Sequence, residues 1–402
     1  DSGNAVRDFF RTDMEVRDGD LSWSDSSSFT PEVCDRLSFR DSLSLPSGVI
    51  DGPQLSLWPT PISAPHVDVL DKVQRVADLI TAHLGVFDPM EWKPRHGPGA
   101  VSDQRFGAYK YAFSHWSDKL ESVFPWADFA NANYAQVEIE SVVSARQRGF
   151  YHEAPARLCA VPKTIKAPRL IACEPTHLQW CQQVVRDYFY DRIRNTFVSS
   201  FVDLRRQDLN GRLALLASHD GTHATIDLSS ASDRISCWHV ERLFRRSPTL
   251  LASLQATRSV WIKQDLCRLS PRFSRIRKYS TMGNATTFPV QSLFFLALAL
   301  GTYFHVRGLR VSEREMRKIG KWQVRVFGDD IIVPNDCSGL LTELIEHLGL
   351  KVNAAKSFTE GNFRESCGVD AFRGTNVTTV NILAIPERTS PGSVVSSVDV
   401  HH

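Results

Sequence analysis

The chain has 402 residues, 42% hydrophobic and 23% charged, with 47 Lys and Arg against 45 Asp and Glu for a formal net charge of +2. These values describe a globular chain able to bury a large core in two or three subdomains, and they exclude a wholly disordered or repetitive protein. A charge this close to balance does not by itself point to a nucleic-acid partner.

Taken in order, residues 1–60 are acidic, Ser-rich and Pro-punctuated, with only weak periodicity. Apolar residues then recur at helical spacing (Val67, Leu70, Val73, Val76, Leu79, Ile80), which predicts a helix over residues 67–84. Gly97 and Gly99 break the chain. Pro162 and Pro168 make residues 161–171 extended, and 177–194 reads as an amphipathic helix. Residues 224–228 form a short strand carrying Asp227, followed by helix-capping types from Ser229 to Asp233. A polar loop, 280–287, enters an apolar helix over 288–304. The most apolar run of that helix, residues 293–304, is too short for a membrane span and reads as a buried core helix. Residues 324–333 place Gly328-Asp329-Asp330 between two runs of strand formers, the pattern of a tight hairpin, and residues 342–348 read as a helix behind it.

The hairpin lifts Asp329 and Asp330 to a tip. Adjacent carboxylates repel, and a hard divalent cation, magnesium or manganese, relieves that repulsion. On these letters alone a polar turn explains the segment as well. Asp227, at the end of a neighbouring strand, would face the tip. Three carboxylates from two such elements suit a metal pair that clamps the oxygens of a phosphoryl displacement. In the polar loop, Gly283 allows a turn that a side chain would resist, while Asn284 and Thr287 offer neutral groups suited to a sugar hydroxyl. Two basic clusters could track phosphates: Arg268, Arg272, Arg275, Arg277 and Lys278, and a second from Arg307 to Lys321. The 8 cysteines form no Cys-x-x-Cys pair, which argues against a zinc ribbon, and they read as reduced thiols.

The order Asp227, then 280–287, then Gly328-Asp329-Asp330 resembles motifs A, B and C of the palm of template-directed polymerases. More narrowly, residues 226–236 and 280–288 are similar to motifs A and B of the replicases of single-stranded RNA bacteriophages, the leviviruses. Residues 353–358 resemble their motif D, residues 363–368 and 372–374 the block after it, and residues 161–169 their motif F. Residues 97–100 also resemble a segment shared with narnavirus polymerases. Phe327 stands where many of these polymerases carry Tyr, and five residues rather than four separate Asp227 from Asp233.

The resemblance implies an α+β, right-hand polymerase with a palm sheet backed by helices, a fingers region, and a thumb that is truncated or absent. It divides the chain into an N-terminal fingers or extension region (1–95), fingers with motif F (96–221), palm with motifs A and B (222–300), a connector (301–320), palm with motif C, motif D and the following block (321–386), and a C-terminal remnant (387–402). The chain reads as trimmed at both ends. The implied activity is RNA-directed RNA synthesis that replicates a positive-strand phage genome in the bacterial cytoplasm, without a membrane. Asp227, Asp329 and Asp330 would hold magnesium (or manganese). Lys356 would protonate pyrophosphate, and Lys163, Lys166 and Arg169 would hold the triphosphate. Asp233, Ser280, Gly283, Asn284 and Thr287 would line the nucleotide, with Asp233 and Asn284 reading the ribose 2′-hydroxyl. Implied partners are RNA template and product, ribonucleoside triphosphates, host elongation factors Tu and Ts and a ribosomal protein. A narnavirus-like RNA polymerase, a reverse transcriptase, a palm-like nucleotide cyclase and an RNA-binding protein with an inactive site are the competing readings.

Overall fold

The computed structural model describes residues 2–16, 66–104, 110–111, 113, 116–130, 153–161 and 168–379. It is an α+β arrangement of helices and small sheets. The longer helices used below are α1 (Ser2–Met14), α2 (Val67–Leu84), α3 (Thr176–Arg194), α4 (Thr287–Val306) and α5 (Asn335–His347). The strands are β1 (Ala156–Val161), β2 (Arg169–Cys173), β3 (His223–Ile226), β4 (Trp261–Lys263), β5 (Phe273–Arg275), β6 (Arg325–Phe327), β7 (Asp330–Pro334), β8 (Phe363–Ser366), β9 (Val369–Phe372) and β10 (Thr375–Asn376).

The large core is built around α4. Its sequence is apolar on every side, so no face can be left to water, and residues from Val290 to Leu300 are buried all round the helix. The helix is long and apolar enough to cross a membrane by length and composition, but its apolar surface is packed inside the protein. Helix α2 lies against it and turns Leu70, Val73, Val76 and Ile80 inward, all fully buried. Each such side chain stabilises the fold by roughly 1.5–3 kcal/mol.

Three sheets surround this core. The central one has the order β3-β7-β6, antiparallel throughout, with Ile226 opposite Ile331 and Phe327 opposite Asp330. Apart from Phe327 and Asp330 beside the turn its strands are buried, with α4 contacting β6 and β7 and α5 contacting β3 and β7. The second has the order β2-β1-β4-β5, and the third is the meander β8-β9-β10.

Two segments differ from the sequence reading. Residues 2–14 are helical, with Val6 and Phe9 packed on the second sheet and Asp13 capping a distant loop. Helix α5 begins at Asn335, seven residues before the expected start. The turn-forming run from Asn335 to Gly339 is carried into the helix by buried Cys337, Ser338 and Leu341.

Candidate active site

The β6–β7 hairpin turns through two residues, Gly328 and Asp329. Gly328 has φ +64°, as a primed hairpin turn requires. A Cβ there would lie 2.8 Å from Phe288 and 2.9 Å from Gln291, so the turn sits directly on the first coils of α4. The Gly328 N–H donates to Ser292 Oγ at 3.0 Å, and Phe327 packs edge-on to Phe288 with ring centroids 4.9 Å apart. A phenol hydroxyl is not needed for that contact.

Register brings Asp227 to this turn. Ile226 pairs with Ile331, so Asp227 emerges beside the start of β7. Its side chain accepts from Asn353 Nδ2 at 2.8 Å, and its backbone N–H donates to Ser357 Oγ at 3.1 Å. Burial pushes the Asp227 carboxyl up, and the nearby Asp329 charge adds to that rise.

Asp330 is not at the tip. It is the first residue of β7, and its carboxylate accepts from the Cys367 N–H at 3.1 Å and Ser366 Oγ at 3.2 Å. Burial, reinforced by Asp329 and Asp227, pushes it up to about 6. With Asp330 drawn toward β8, the expected trio does not close. Among the described residues, no three Asp, Glu, His or Cys side chains form a group able to hold a metal ion. The pair Asp227 and Asp329 fits a hard divalent cation by donor chemistry and by its mutual repulsion.

Lys356 lies on the loop that also supplies Asn353 and Ser357. Its Nζ donates to Glu365 at 2.8 Å, and that bond raises its pKa, with a smaller contribution from the charges of Asp227 and Asp330.

The loop before α4 is closed on itself. Ser280 Oγ and Thr287 Oγ1 share a hydrogen bond of 2.7 Å, and Thr287 Oγ1 also donates to the Thr281 carbonyl. Asn284 is buried, and its Oδ1 accepts from both the N–H and the hydroxyl of Thr286. Gly283 has φ +117°, and a Cβ would lie 2.0 Å from the Ala172 carbonyl oxygen of β2. The adjacent Met282 carbonyl accepts from the Ala172 N–H at 2.7 Å. Arg169, at the start of β2, is exposed, while Lys163 and Lys166 lie outside the described residues.

Asp233 sits in a buried ion pair. Its partner is Lys278, whose Nζ is 2.8 Å away and whose side chain is 0% exposed. The same Nζ lies 3.3 Å from the centroid of the Phe9 ring. Lys278 is therefore not a phosphate contact, contrary to its place in the first basic cluster. Three of the six cations of the second cluster are paired: Arg307, Arg317 and Lys318 with Asp336, Glu313 and Glu315.

Sequence reasoning gave no role to several groups that hold this site. Asn353, Ser357, Ser366 and Cys367 lie inside the quoted motifs, so their signal was present. Glu174 had none. It is fully buried, burial pushes it up to about 7, and it bonds Ser259 and Gln182. Gln182 in turn accepts from the Ala285 N–H at 3.3 Å, which ties α3 to the polar loop.

The chain belongs to the RNA replicase beta-chain family, whose model matches residues 96–385. It is 35% identical over 217 residues to the RNA-directed RNA polymerase beta chain of Enterobacteria phage fr, a stretch covering 54% of this chain and 36% of that protein. The beta chain of Escherichia phage MS2 is likewise 35% identical over 217 residues, with the same coverage. The RNA-directed RNA polymerase subunit beta of Escherichia virus Qbeta is 36% identical over 220 residues, covering 54% of this chain and 33% of the relative. The matched stretch thus spans about a third of the length of these relatives.

Proposed function

We propose that this chain carries the polymerase centre of a phage RNA replicase, and that it performs template-directed RNA synthesis from ribonucleoside triphosphates in the cytoplasm of an infected bacterium. The observation that supports this most is the meeting of Asp227 with the Gly328-Asp329 turn on adjacent antiparallel strands, within a chain of this family. In the right-hand description, the β3-β7-β6 sheet with α4 and α5 is the palm (222–300 and 321–386), and β1 and β2 belong to the fingers (96–221), in a sheet that β4 and β5 complete from residues 261–275.

The reaction is nucleotidyl transfer. The 3′-hydroxyl oxygen of the growing strand bonds to the α-phosphorus of the incoming nucleotide, and the bond to pyrophosphate breaks. Asp227 and Asp329 would hold a divalent cation, magnesium first, with Asp330 supporting. When bound, the cation lowers the pKa of the hydroxyl and neutralises the leaving group. Asn353 and Ser357 hold Asp227 in place, and Ser292 fixes the turn that carries Asp329. Lys356 keeps its proton beside Glu365 and is the candidate donor to the leaving pyrophosphate. Arg169, with Lys163 and Lys166, would bind the triphosphate. The glycine loop, braced by Ala172, would set the sugar against Asn284. Elongation factors Tu and Ts and a ribosomal protein are partners implied by the family resemblance.

Primer extension on a short RNA template, with and without magnesium, tests this. Asp329→Asn should lower nucleotide addition by roughly 10²–10³ while RNA binding survives. Addition at parent rates in that variant would remove Asp329 from the reaction.

A further inference from the structure

The four-stranded sheet has two unlike faces. One is apolar: Ala156, Leu158, Leu170, Ala172 and Ile262 pack with Val6 and Phe9 of α1. Side chains alternate along strands, so the intervening residues face outward. Register sets them side by side. Arg157 pairs with Lys263 in parallel, Lys263 with Phe273, and Trp261 with Arg275. Trp261 and Phe273 are therefore diagonal neighbours, with Lys263 and Arg275 on the other diagonal.

Both aromatics are left in water. Trp261 is 39% exposed and Phe273 51% exposed. Arg157, Arg169 and Arg275 are also exposed, and Lys263 is half-buried. No Asp or Glu occupies an outward position in these four strands. In a chain whose charges almost balance, outward cations without an outward acid in these strands suit a polyanion; Asp265, just beyond β4, is paired with Arg272, and Arg169, assigned to the triphosphate, lies on the far edge strand. Two exposed aromatic faces beside them add what a polyanion of unpaired bases offers, since every base has a stacking face. The face also leads to the site: β2 begins at Arg169 and contacts the Gly283 loop through Ala172.

We propose that the outward face of this sheet binds single-stranded RNA, with Trp261 and Phe273 stacking on unpaired bases while Lys263 contacts phosphates. Naming the strand as RNA rests on the polymerase reading; the stacking geometry does not.

The test uses the whole chain, a short fluorescein-labelled oligouridylate and an RNA duplex of the same length, read by anisotropy across a salt series. Trp261→Ala and Phe273→Ala should each weaken oligouridylate binding about tenfold and duplex binding far less. Trp261→Phe should keep most of the affinity. Lys263→Ala should reduce the salt slope by about 0.7. Thermal melting confirms that each variant is folded. Unchanged oligouridylate affinity in the folded aromatic variants overturns the proposal and assigns the face to a protein partner. Equal losses on single strand and duplex also overturn it, because stacking needs unpaired bases. Nucleotide addition by the parent chain is scored separately. Its absence beside intact stacking losses sinks the polymerase reading alone, and addition beside unchanged binding sinks the platform alone.

Discussion

Replacing Asp233 by Ala would leave the Lys278 ammonium buried without its counter-charge. Lys278 has no exposed side-chain surface, and its Nζ lies 2.8 Å from Asp233 Oδ1. Breaking one side of such a pair typically costs about 3–5 kcal/mol. The Phe9 ring, 3.3 Å from the same Nζ, remains in the variant and continues to stabilise the cation by about 2 kcal/mol. The expected loss therefore sits at the lower end, about 3 kcal/mol. The double variant Asp233→Ala with Lys278→Met removes both charges and keeps an apolar side chain of similar length. It should be more stable than Asp233→Ala alone, because no charge is stranded. Urea unfolding followed by tryptophan fluorescence measures both, and the double-mutant cycle isolates the pair. Asp233→Ala within about 1 kcal/mol of the parent would refute the reasoning, since that is the range of an exposed pair. Asp233→Asn, assayed with ribo- and deoxyribonucleotides, separates this role from ribose selection. The buried pair predicts a larger change in stability than in selectivity.

Glu174, raised by burial from its ordinary value near 4.5 to about 7, binds its proton more tightly in the folded state. Its contribution is fully present below pH 4.5 and is lost as pH rises through 7, up to about 3 kcal/mol; Glu174→Gln should flatten that slope in denaturation curves taken across this window. Asn284→Ala removes two bonds to Thr286 and should cost roughly 1–2 kcal/mol. It should also weaken selection of ribo- over deoxyribonucleotides, and unchanged relative incorporation would remove Asn284 from sugar recognition. Arg169→Ala should raise the KM for nucleotide, lower turnover, or both, with template affinity little changed; a collapse of template binding with normal nucleotide kinetics would move Arg169 to the RNA path.

Local chemistry explains what was legible in the sequence. Gly328-Asp329 between β-branched runs specifies a two-residue turn wherever it occurs, and the periodicity of residues 67–84 specifies a helix with one apolar face. Motif order then placed Asp227 near that turn, which the β3–β7 register matches. Burial and distant partners are not local properties. The sequence offers Asp233 as a ribose reader, and only the fold shows Lys278, 45 residues away, sealed against it under Phe9. Asp330 looked like a tip residue until the Cys367 N–H, 37 residues on, drew its carboxylate toward β8. Helix α1 offers Val6, Phe9 and Phe10 at helical spacing, but what they pack on is a sheet far along the chain, and Asp13 contacts Lys278, 265 residues later. A carboxylate's role follows from which donors and cations surround it and how much water remains. Turn and helix propensities act over a few residues, whereas those surroundings are set by chain segments that meet when the protein folds.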